Sequence, residues 1–319
     1  MIKLLLLWQI FQYSDSLNIS QCHFERHEPI DYRKYDFESY RYVNLSCGGL
    51  TTLQGTNFSK VVSLNLSNNQ LTSLDGIKLD SLESIDISNT NIKNLNALCS
   101  CKNLKSITYE NDLLSEIPPC LFSNTKLEIL NIVGVKWPLG VSIDDGLRLR
   151  NLSLTMTNDS LLNNAMIDRI NQLTSLAHLQ LINAKRLLLS IQSKRRIESL
   201  SLIVKDSNMK NVLLDLRDFS NLRELEIVTD SKKFNYDLRF LHTIEVLIVR
   251  RFSGNQMVLM PDYLNELNKL KSVYDFVNLK NYQLKREIKI ISGPNSNLAL
   301  LKKMRYSVVE YSNTFFIKN

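Results

Sequence analysis

The sequence predicts an α/β solenoid in which about ten short parallel strands form an inner sheet and the outer side is irregular, with short helices. Three observations predict it. A short phrase returns ten times along the 319 residues: an apolar residue, two others, a Leu-type residue, one other, and a second apolar residue. Within each phrase apolar and polar residues alternate, as Leu64 and Leu66 do with Ser63, Asn65 and Ser67, which is the period of a half-buried strand. The phrases are also evenly spaced. The second apolar residue of each gives the anchors Leu45, Leu66, Ile87, Tyr109, Ile132, Leu154, Leu181, Leu202, Ile227 and Val249, in steps of 21, 21, 22, 23, 22, 27, 21, 25 and 22. Self-similarity at such a period means that one supersecondary unit is stacked many times, since a single strand cannot bury its apolar face alone.

The cleanest copy, Val61-Val-Ser-Leu64-Asn-Leu66-Ser-Asn-Asn69-Gln-Leu71, fits L-x-x-L-x-L-x-x-N-x-L at every defined position. Leu82-Glu-Ser-Ile85-Asp-Ile87-Ser-Asn-Thr90-Asn-Ile92 follows it closely. On these copies the chain resembles the leucine-rich repeat family over roughly Tyr40 to Leu270. The resemblance implies a horseshoe whose strands lie about 4.8 Å apart, giving an inner surface roughly 43 Å long for ten strands. It also implies that Asn69 turns inward and satisfies backbone groups leaving the strand, where one unpaired buried group would cost about 1–3 kcal/mol.

The departures from the pattern carry expectations too. The residues at the Asn position are Gly48, Asn69, Thr90, Asp112, Val135, Thr157, Ala184, Lys205, Asp230 and Phe252. Asn occurs once, and Thr or Asp could substitute in four others. Turn chemistry is largely lost after Val135, so the second half is expected to be looser in register. Past Leu270 the phrase decays, with Asp275 at the anchor. Glu287 to Ile291 and Tyr306 to Val309 read as closing strands of a cap.

Long steps mark a thickened outer side. Leu161-Leu162, Ala165-Met166, Ile170 and Leu173 have helical spacing. Met209, Val212-Leu213 and Leu216 suggest a second helix, and Tyr263-Leu264, Leu267 and Leu270 a third after Pro261.

The first residues place Lys3 before the apolar run Leu4 to Phe11, followed by Ser14-Asp15-Ser16, the layout of a secretory signal peptide rather than of an apolar first strand. The domain expectation is therefore a signal peptide over 1–16, an N-terminal cap over 17–42, repeats over 43–275 and a C-terminal cap over 276–319. Export agrees with six N-x-S/T sequons, at Asn18, Asn44, Asn57, Asn65, Asn151 and Asn158. Asn65 and Asn151 fall on the outward strand face, where a glycan would block binding.

Five cysteines lie early in the chain, at Cys22, Cys47, Cys99, Cys101 and Cys120. Cys22 and Cys47 resemble the disulfide-closed N-terminal cap of extracellular leucine-rich repeat proteins. Cys120 lies one repeat beyond Cys99 and Cys101 and can meet either. The one left over is a free thiol or forms an intermolecular bridge, which would give a disulfide-linked dimer. No zinc spacing accompanies them, and the four histidines are scattered, so neither metal nor cofactor is expected. No stretch approaches twenty apolar residues, so no membrane span is expected.

Charge is uneven. Residues 1–160 hold 14 Lys+Arg against 17 Asp+Glu, giving −3; residues 161–319 hold 25 against 15, giving +10. Such a half can attract anionic glycans, lipid head groups or nucleic acid, but no aromatic-interleaved motif accompanies it, and solvated loops are the preferred reading over nucleic-acid binding.

From the second repeat on, the outward residue after each anchor reads Ser67, Ser88, Glu110, Val133, Thr155, Ile182, Ile203, Val228 and Arg250. The column turns apolar from Val133 onward, with Met156, Val204, Val246 and Ile248 expected on the same side. Val133, Met156, Ile182, Ile203, Val228, Ile248 and Arg250 are therefore the candidate partner-binding residues, for a protein or a second copy of the chain. The opposing reading is that twisted, degenerate repeats bury some of them.

Leu114-Ser-Glu-Ile117-Pro118-Pro-Cys-Leu121-Phe122-Ser-Asn-Thr-Lys-Leu127-Glu-Ile-Leu130 is similar to the I-P-x-x-L-F-x-x-x-x-L-x-x-L linker of extracellular leucine-rich repeat receptors, Toll-like ectodomains among them. The resemblance implies a secreted recognition protein that binds a protein or a cell or microbial surface, in innate immunity or receptor-like recognition. The alternative is an intracellular adaptor of the phosphatase-regulator or ubiquitin-ligase substrate-receptor type, whose repeats have the same length. No G-x-S-x-G, Walker loop or HExxH occurs, and Asp144-Asp145 has no clear partner, so no enzyme activity and no catalytic residues are expected.

Overall fold

The computed structural model describes residues 15–22, 29–110, 113–114, 117–133, 146–155, 164–182, 186–230, 236–251, 258–259, 262–274, 276–277, 289–291, 307–311 and 314–318. The chain divides into two compact units, Met1–Leu154 and Thr155–Asn319. The expected signal peptide lies outside the described residues up to residue 14.

In the first unit, strands β1 (Ser16–Asn18), β2 (Tyr42–Asn44), β3 (Ser63–Asn65), β4 (Ser84–Asp86), β5 (Ser106–Glu110), β6 (Ile129–Val133) and β7 (Asn151–Thr155) follow one another in chain order. Each pair from β1 to β6 is parallel and in strict register, so that Val43, Leu64, Ile85, Ile107 and Leu130 form one row. β7 joins through the Arg150 and Asn151 N–H groups, which donate to the Glu128 carbonyl at 2.8 and 3.0 Å. The anchors Leu45, Leu66, Ile87, Tyr109 and Ile132 form a second row and are all wholly buried. This is a leucine-rich repeat solenoid, as the phrase predicts.

Why β2 to β4 stop at three residues is visible in their last side chains. The Oδ1 atoms of Asn44, Asn65 and Asp86 accept the N–H groups of Ser46, Ser67 and Ser88 at 3.0, 2.9 and 3.0 Å. These Asx turns draw the chain off the ladder. The residues at the following turn, Cys47, Asn68 and Asn89, have φ of 55°, 57° and 54°, a left-handed conformation that Asn tolerates. Cys47 is held there by its disulfide to Cys22.

In the second unit the parallel order is β8 (His178–Ile182), β9 (Ser199–Val204), β10 (Glu224–Thr229), β11 (Val246–Arg251), β13 (Ser272–Tyr274) and β15 (Lys289–Ile291). β12 (Val258–Leu259) pairs with β14 (Phe276–Val277), and β16 (Ser307–Tyr311) with β17 (Thr314–Lys318) as an antiparallel hairpin. Strands β15 and β16 fall where closing strands are expected. The expectation of a looser register fails here. β9, β10 and β11 pair over six residues each without a slip, with Ser201, Glu226 and Ile248 where β2 to β4 carry the turn-forming Asn44, Asn65 and Asp86. β13 also pairs with β11 although its phrase is decayed.

Three α-helices occur among the described residues of the second unit. α1 (Asn164–Gln172) buries Ile170, as the periodicity predicts, and also Ile167, which the predicted stripe leaves out, while Leu161 and Leu162 lie outside the described residues; α3 (Asp206–Leu216) buries Met209, Val212 and Leu216 as predicted. Between them α2 (Ile191–Arg196) has only six residues, too few for a periodic pattern; its Ser190 cap accepts the Ser193 N–H at 3.2 Å. The third expected helix is instead one 3₁₀ turn, Asp262–Glu266. Leu264, Leu267 and Leu270 are buried as core residues of that turn and the segment after it.

Candidate interaction surface

The turn that the repeat needs is built most completely at Asn69. Its amide nitrogen donates to the carbonyls of Leu45, Leu66 and Ser67 at 3.0, 2.8 and 3.3 Å. Its Oδ1 accepts the N–H groups of Gly48 and Leu50 at 2.9 and 3.0 Å. Thr90, one repeat later, donates its hydroxyl to the Ile87 carbonyl at 2.8 Å. In the second unit a helical acid holds one backbone N–H of the segment after β8. Asp215 of α3, nearly buried, accepts the Leu187 N–H at 2.8 Å and the Nε and Nη2 donors of Arg186 at 3.0 and 2.9 Å. Repeat spacing gives no hint of Asp215, because its partner lies 28 residues away.

The outward strand face differs between the units. In the first, Ser63, Ser84 and Ser106 share one column that runs between Tyr42 and Ile129, and Asn44, Asn65, Asp86 and Thr108 share the next. Ser67 and Ser88 are only 7 % exposed, tucked under their Asx turns. In the second unit Ile182, Ile203, Val228 and Arg250 are direct register partners along one column. Ile203 and Val228 are half-buried, and Arg250 is exposed. Beside them the Glu226 carboxylate accepts from Arg250 at 2.8 Å and from the Ser201 hydroxyl at 2.7 Å. An apolar stripe thus ends in an ion pair whose acid is fixed from both sides.

The remaining candidates separate. Ile248 is 9 % exposed and belongs largely to the core. Val204 is wholly buried and points inward, two positions beyond its inward anchor Leu202, which corrects the expectation that it faces outward. The backbones of Val133 and Ile182 lie in β6 and β8, while their side chains, and all of Met156, lie outside the described residues.

Charges of alternating sign line the starts of the strands. Glu83 pairs with Lys105 at 2.7 Å and Glu245 with Lys271 at 2.6 Å. The hydrogen bond from Lys271 holds the Glu245 carboxyl below its ordinary range. Glu198, Asn221, Arg223, Thr243, Glu245 and Lys269 border a groove of about 350 Å³. Asn221 and Thr243 there are bonded to the carbonyls of Arg195 and Leu222, both at 2.6 Å. Among the described residues no three His, Cys, Asp or Glu side chains converge as a metal site, and Asp144-Asp145 lies outside them. No described helix is long and apolar enough to cross a membrane.

The cysteine alternatives resolve. Cys22 is bonded to Cys47, and Cys99 to Cys120, which ties the 3₁₀ turn Asn96–Ser100 to the turn Pro119–Ser123. Cys101 is the leftover thiol. It is 1 % exposed, and burial pushes its pKa up to about 11, so it offers no accessible thiolate for a bridge between two copies. Of the sequons, Asn18 is exposed, whereas Asn57, Asn65 and Asn151 are half-buried. Asn44 is 8 % exposed and pairs in register with Asn65, so it too lies on the strand face. Asn57 is bonded to Glu38, and Asn158 lies outside the described residues.

No protein-family model and no curated protein matches the chain. Among solved structures it is similar to an internalin of Listeria monocytogenes, at 16% identity and TM-score 0.47, with 82% of each chain covered. It is similar to a leucine-rich repeat protein of Leptospira interrogans, at 14% identity and TM-score 0.38, over 84% of this chain and 82% of that one. A third likeness is to the Toll–Spätzle complex of Drosophila, at 17% identity and TM-score 0.40, over 88% of this chain and 37% of that one. At these identities and TM-scores the likenesses carry no ligand to this chain.

Proposed function

We propose that the protein is a secreted recognition protein and that the strand face of its second unit binds a protein partner. The observation that carries the reading is the stripe of Ile203 and Val228, in register on a ladder without slips and closed by the Glu226–Arg250 pair. Apolar residues held on rigid strands, flanked by an oriented charge, have the make-up of a binding hot spot. Two disulfides support an oxidising compartment. The sequons and the N-terminal apolar run support export. Binding here needs no catalytic group.

Two measurements test this reading. Expression in secretory cells should place the protein in the medium, with a mass decrease on deglycosylation; cytosolic retention without a mass change would favour the adaptor reading instead. Affinity capture from the protein's own extracellular fluid, under non-reducing conditions, should then recover a partner that the Ile203→Asp, Val228→Asp double variant loses. Equal recovery by the double variant would remove the stripe from the interface.

A further inference from the structure

Asn57 differs from the other sequon residues in what its side chain borders. Asn18, Asn44 and Asn65 are the last residues of β1, β2 and β3, whereas Asn57 lies in the connection between β2 and β3. It lines a pocket of about 260 Å³ together with Tyr32, Tyr35, Glu38 and Gln54. Its Oδ1 accepts the Ser59 N–H at 3.0 Å, and its Nδ2 donates to the Glu38 carboxylate. The amide is thus fixed between its own turn and the Glu38 side of the pocket. An amide nitrogen that carries a sugar keeps one N–H, so the bond to Glu38 can survive modification. Part of the pocket wall is aromatic. Tyr35, 36 % exposed, lies 6.2 Å from Phe37, and Phe37 lies 4.5 Å from Phe58, the residue after Asn57. Phe37 and Phe58 are buried, which leaves Tyr35 as the open end of this run of rings, while Arg33 covers Tyr32 at 5.7 Å. On the polar side, Asp36 is taken up by the Glu38 N–H and the Ser39 hydroxyl at 3.1 and 2.8 Å. The second oxygen of Glu38 and the Gln54 amide supply acceptors and donors.

We infer that Asn57 carries an N-linked glycan and that its first pyranose ring is seated in this pocket. A pyranose has a face of C–H groups and a rim of hydroxyls. The Tyr35 ring suits the face, and the Glu38 carboxylate and Gln54 amide suit the rim. The volume is below the roughly 300–1,000 Å³ of sites for drug-sized ligands, which fits one ring and not an oligosaccharide. Tyr35 precedes β2 and Asn57 follows it, so a seated ring joins the two segments that flank this strand. Such a glycan is added only on export, so this inference rests on the secreted reading above.

Variants of the full chain, secreted from one cell line, test the inference. Ser59→Ala removes the sequon but keeps Asn57 and the Ser59 backbone N–H, whereas Ser59→Thr keeps the sequon. Glycopeptide mapping should find Asn57 modified in the unaltered protein and in Ser59→Thr, and bare in Ser59→Ala. The urea midpoint of Ser59→Ala should then lie below that of Ser59→Thr by on the order of 0.5 M, the loss of one contact with an aromatic face. Adding Tyr35→Ala to both should abolish the difference, because the sugar has no ring left to cover. If Tyr35→Ala is not secreted, Tyr35→Leu, which keeps apolar bulk without a flat face, takes its place. Retention of the unaltered protein in the cytosol would end the secreted reading and this one together. Secretion with sugars on other sequons and a bare Asn57 would overturn this inference alone. So would equal midpoints of the two Ser59 variants, or a difference that persists undiminished without Tyr35, since the pocket would then not be the seat of the sugar.

Discussion

Replacing Asn69 with Ala removes one side chain and leaves five backbone groups from two repeats without their partner. The side chain is 5 % exposed, so water does not simply take its place. The three carbonyls of Leu45, Leu66 and Ser67 each keep a second lone pair. The Gly48 and Leu50 N–H groups, bonded at 2.9 and 3.0 Å, have no such reserve. At about 1–3 kcal/mol for each buried unsatisfied donor, the expected loss is roughly 3–5 kcal/mol. That is a large part of the 5–15 kcal/mol typical of a domain. Thr90→Val is the internal standard, because Thr90 occupies the same place one repeat on and its hydroxyl gives the Ile87 carbonyl one bond at 2.8 Å; its expected cost is about 1 kcal/mol. Urea unfolding followed by far-ultraviolet circular dichroism compares the two variants under one set of conditions. If Asn69→Ala proves no more costly than Thr90→Val, the idea that one buried amide holds two adjacent turns together is wrong.

Asp215→Ala should cost about 2–4 kcal/mol in the same assay, and Asp215→Asn less, because an amide oxygen can still accept the Leu187 N–H; equal losses would show that the backbone bond contributes nothing. Cys101 should resist alkylation in the native protein and react once per chain after unfolding, and peptide mapping should find Cys99 linked to Cys120. Rapid labelling of the native protein would contradict the buried placement. The hydrogen bonds from Arg239 lower the Asp237 carboxyl from 3.8 to about 2. A depressed folded-state pKa stabilises above the ordinary carboxylate value, and the contribution is lost as pH falls from about 4 towards 2. Asp237 is 55% exposed, so solvent screening keeps that contribution small. Carboxyl titration by nuclear magnetic resonance should show the low midpoint, and a midpoint near 3.8 would argue against the pairing.

The period of the anchors was sufficient to place the strands. From Leu45 to Val249, every one of the ten anchors lies in a strand or directly after it. That legibility comes from burial, which leaves the inward positions few choices and so writes them plainly. Local turn chemistry was legible at Asn69 for a related reason, since only an amide both donates and accepts there. Strand length was not legible, because it depends on whether the middle outward residue can turn back on its own backbone. Asn131 shows the limit of even that rule: β6 runs five residues with Asn at the place where Asn65 ends β3 after three. The 3₁₀ turn after Pro261 copies helical spacing for too few residues to be told from a helix. Asp215 and the Cys99–Cys120 pairing depend on which loops meet in space. On the candidate surface, periodicity located the column of Ile203 and Val228 but misjudged Val204, because the count was carried one residue too far along an inward row.

Loss of the repeat consensus and gain of a binding face have one physical origin in this chain. In the first unit the outward side chains serve their own backbone: Asn44, Asn65 and Asp86 spend their Oδ1 atoms on the turns, and Ser67 and Ser88 end up buried beneath them. Such a face has little left to offer a partner. Gln180, Ser201, Glu226 and Ile248 occupy the same column in the second unit. None of them closes an Asx turn, so the ladder continues and the next residue stays on the strand. That residue is Ile203, Val228 or Arg250, and the extra ladder bonds hold it rigidly in place. Restoring the consensus with Ser201→Asn and Glu226→Asn should therefore shorten β9 and β10 and draw Ile203 and Val228 under new turns. Amide hydrogen exchange would register the change as lost protection at Val204 and Thr229. If protection there were unaltered, strand length would have to be set by something other than the outward side chain, and the link between a decayed repeat and a usable face would fail.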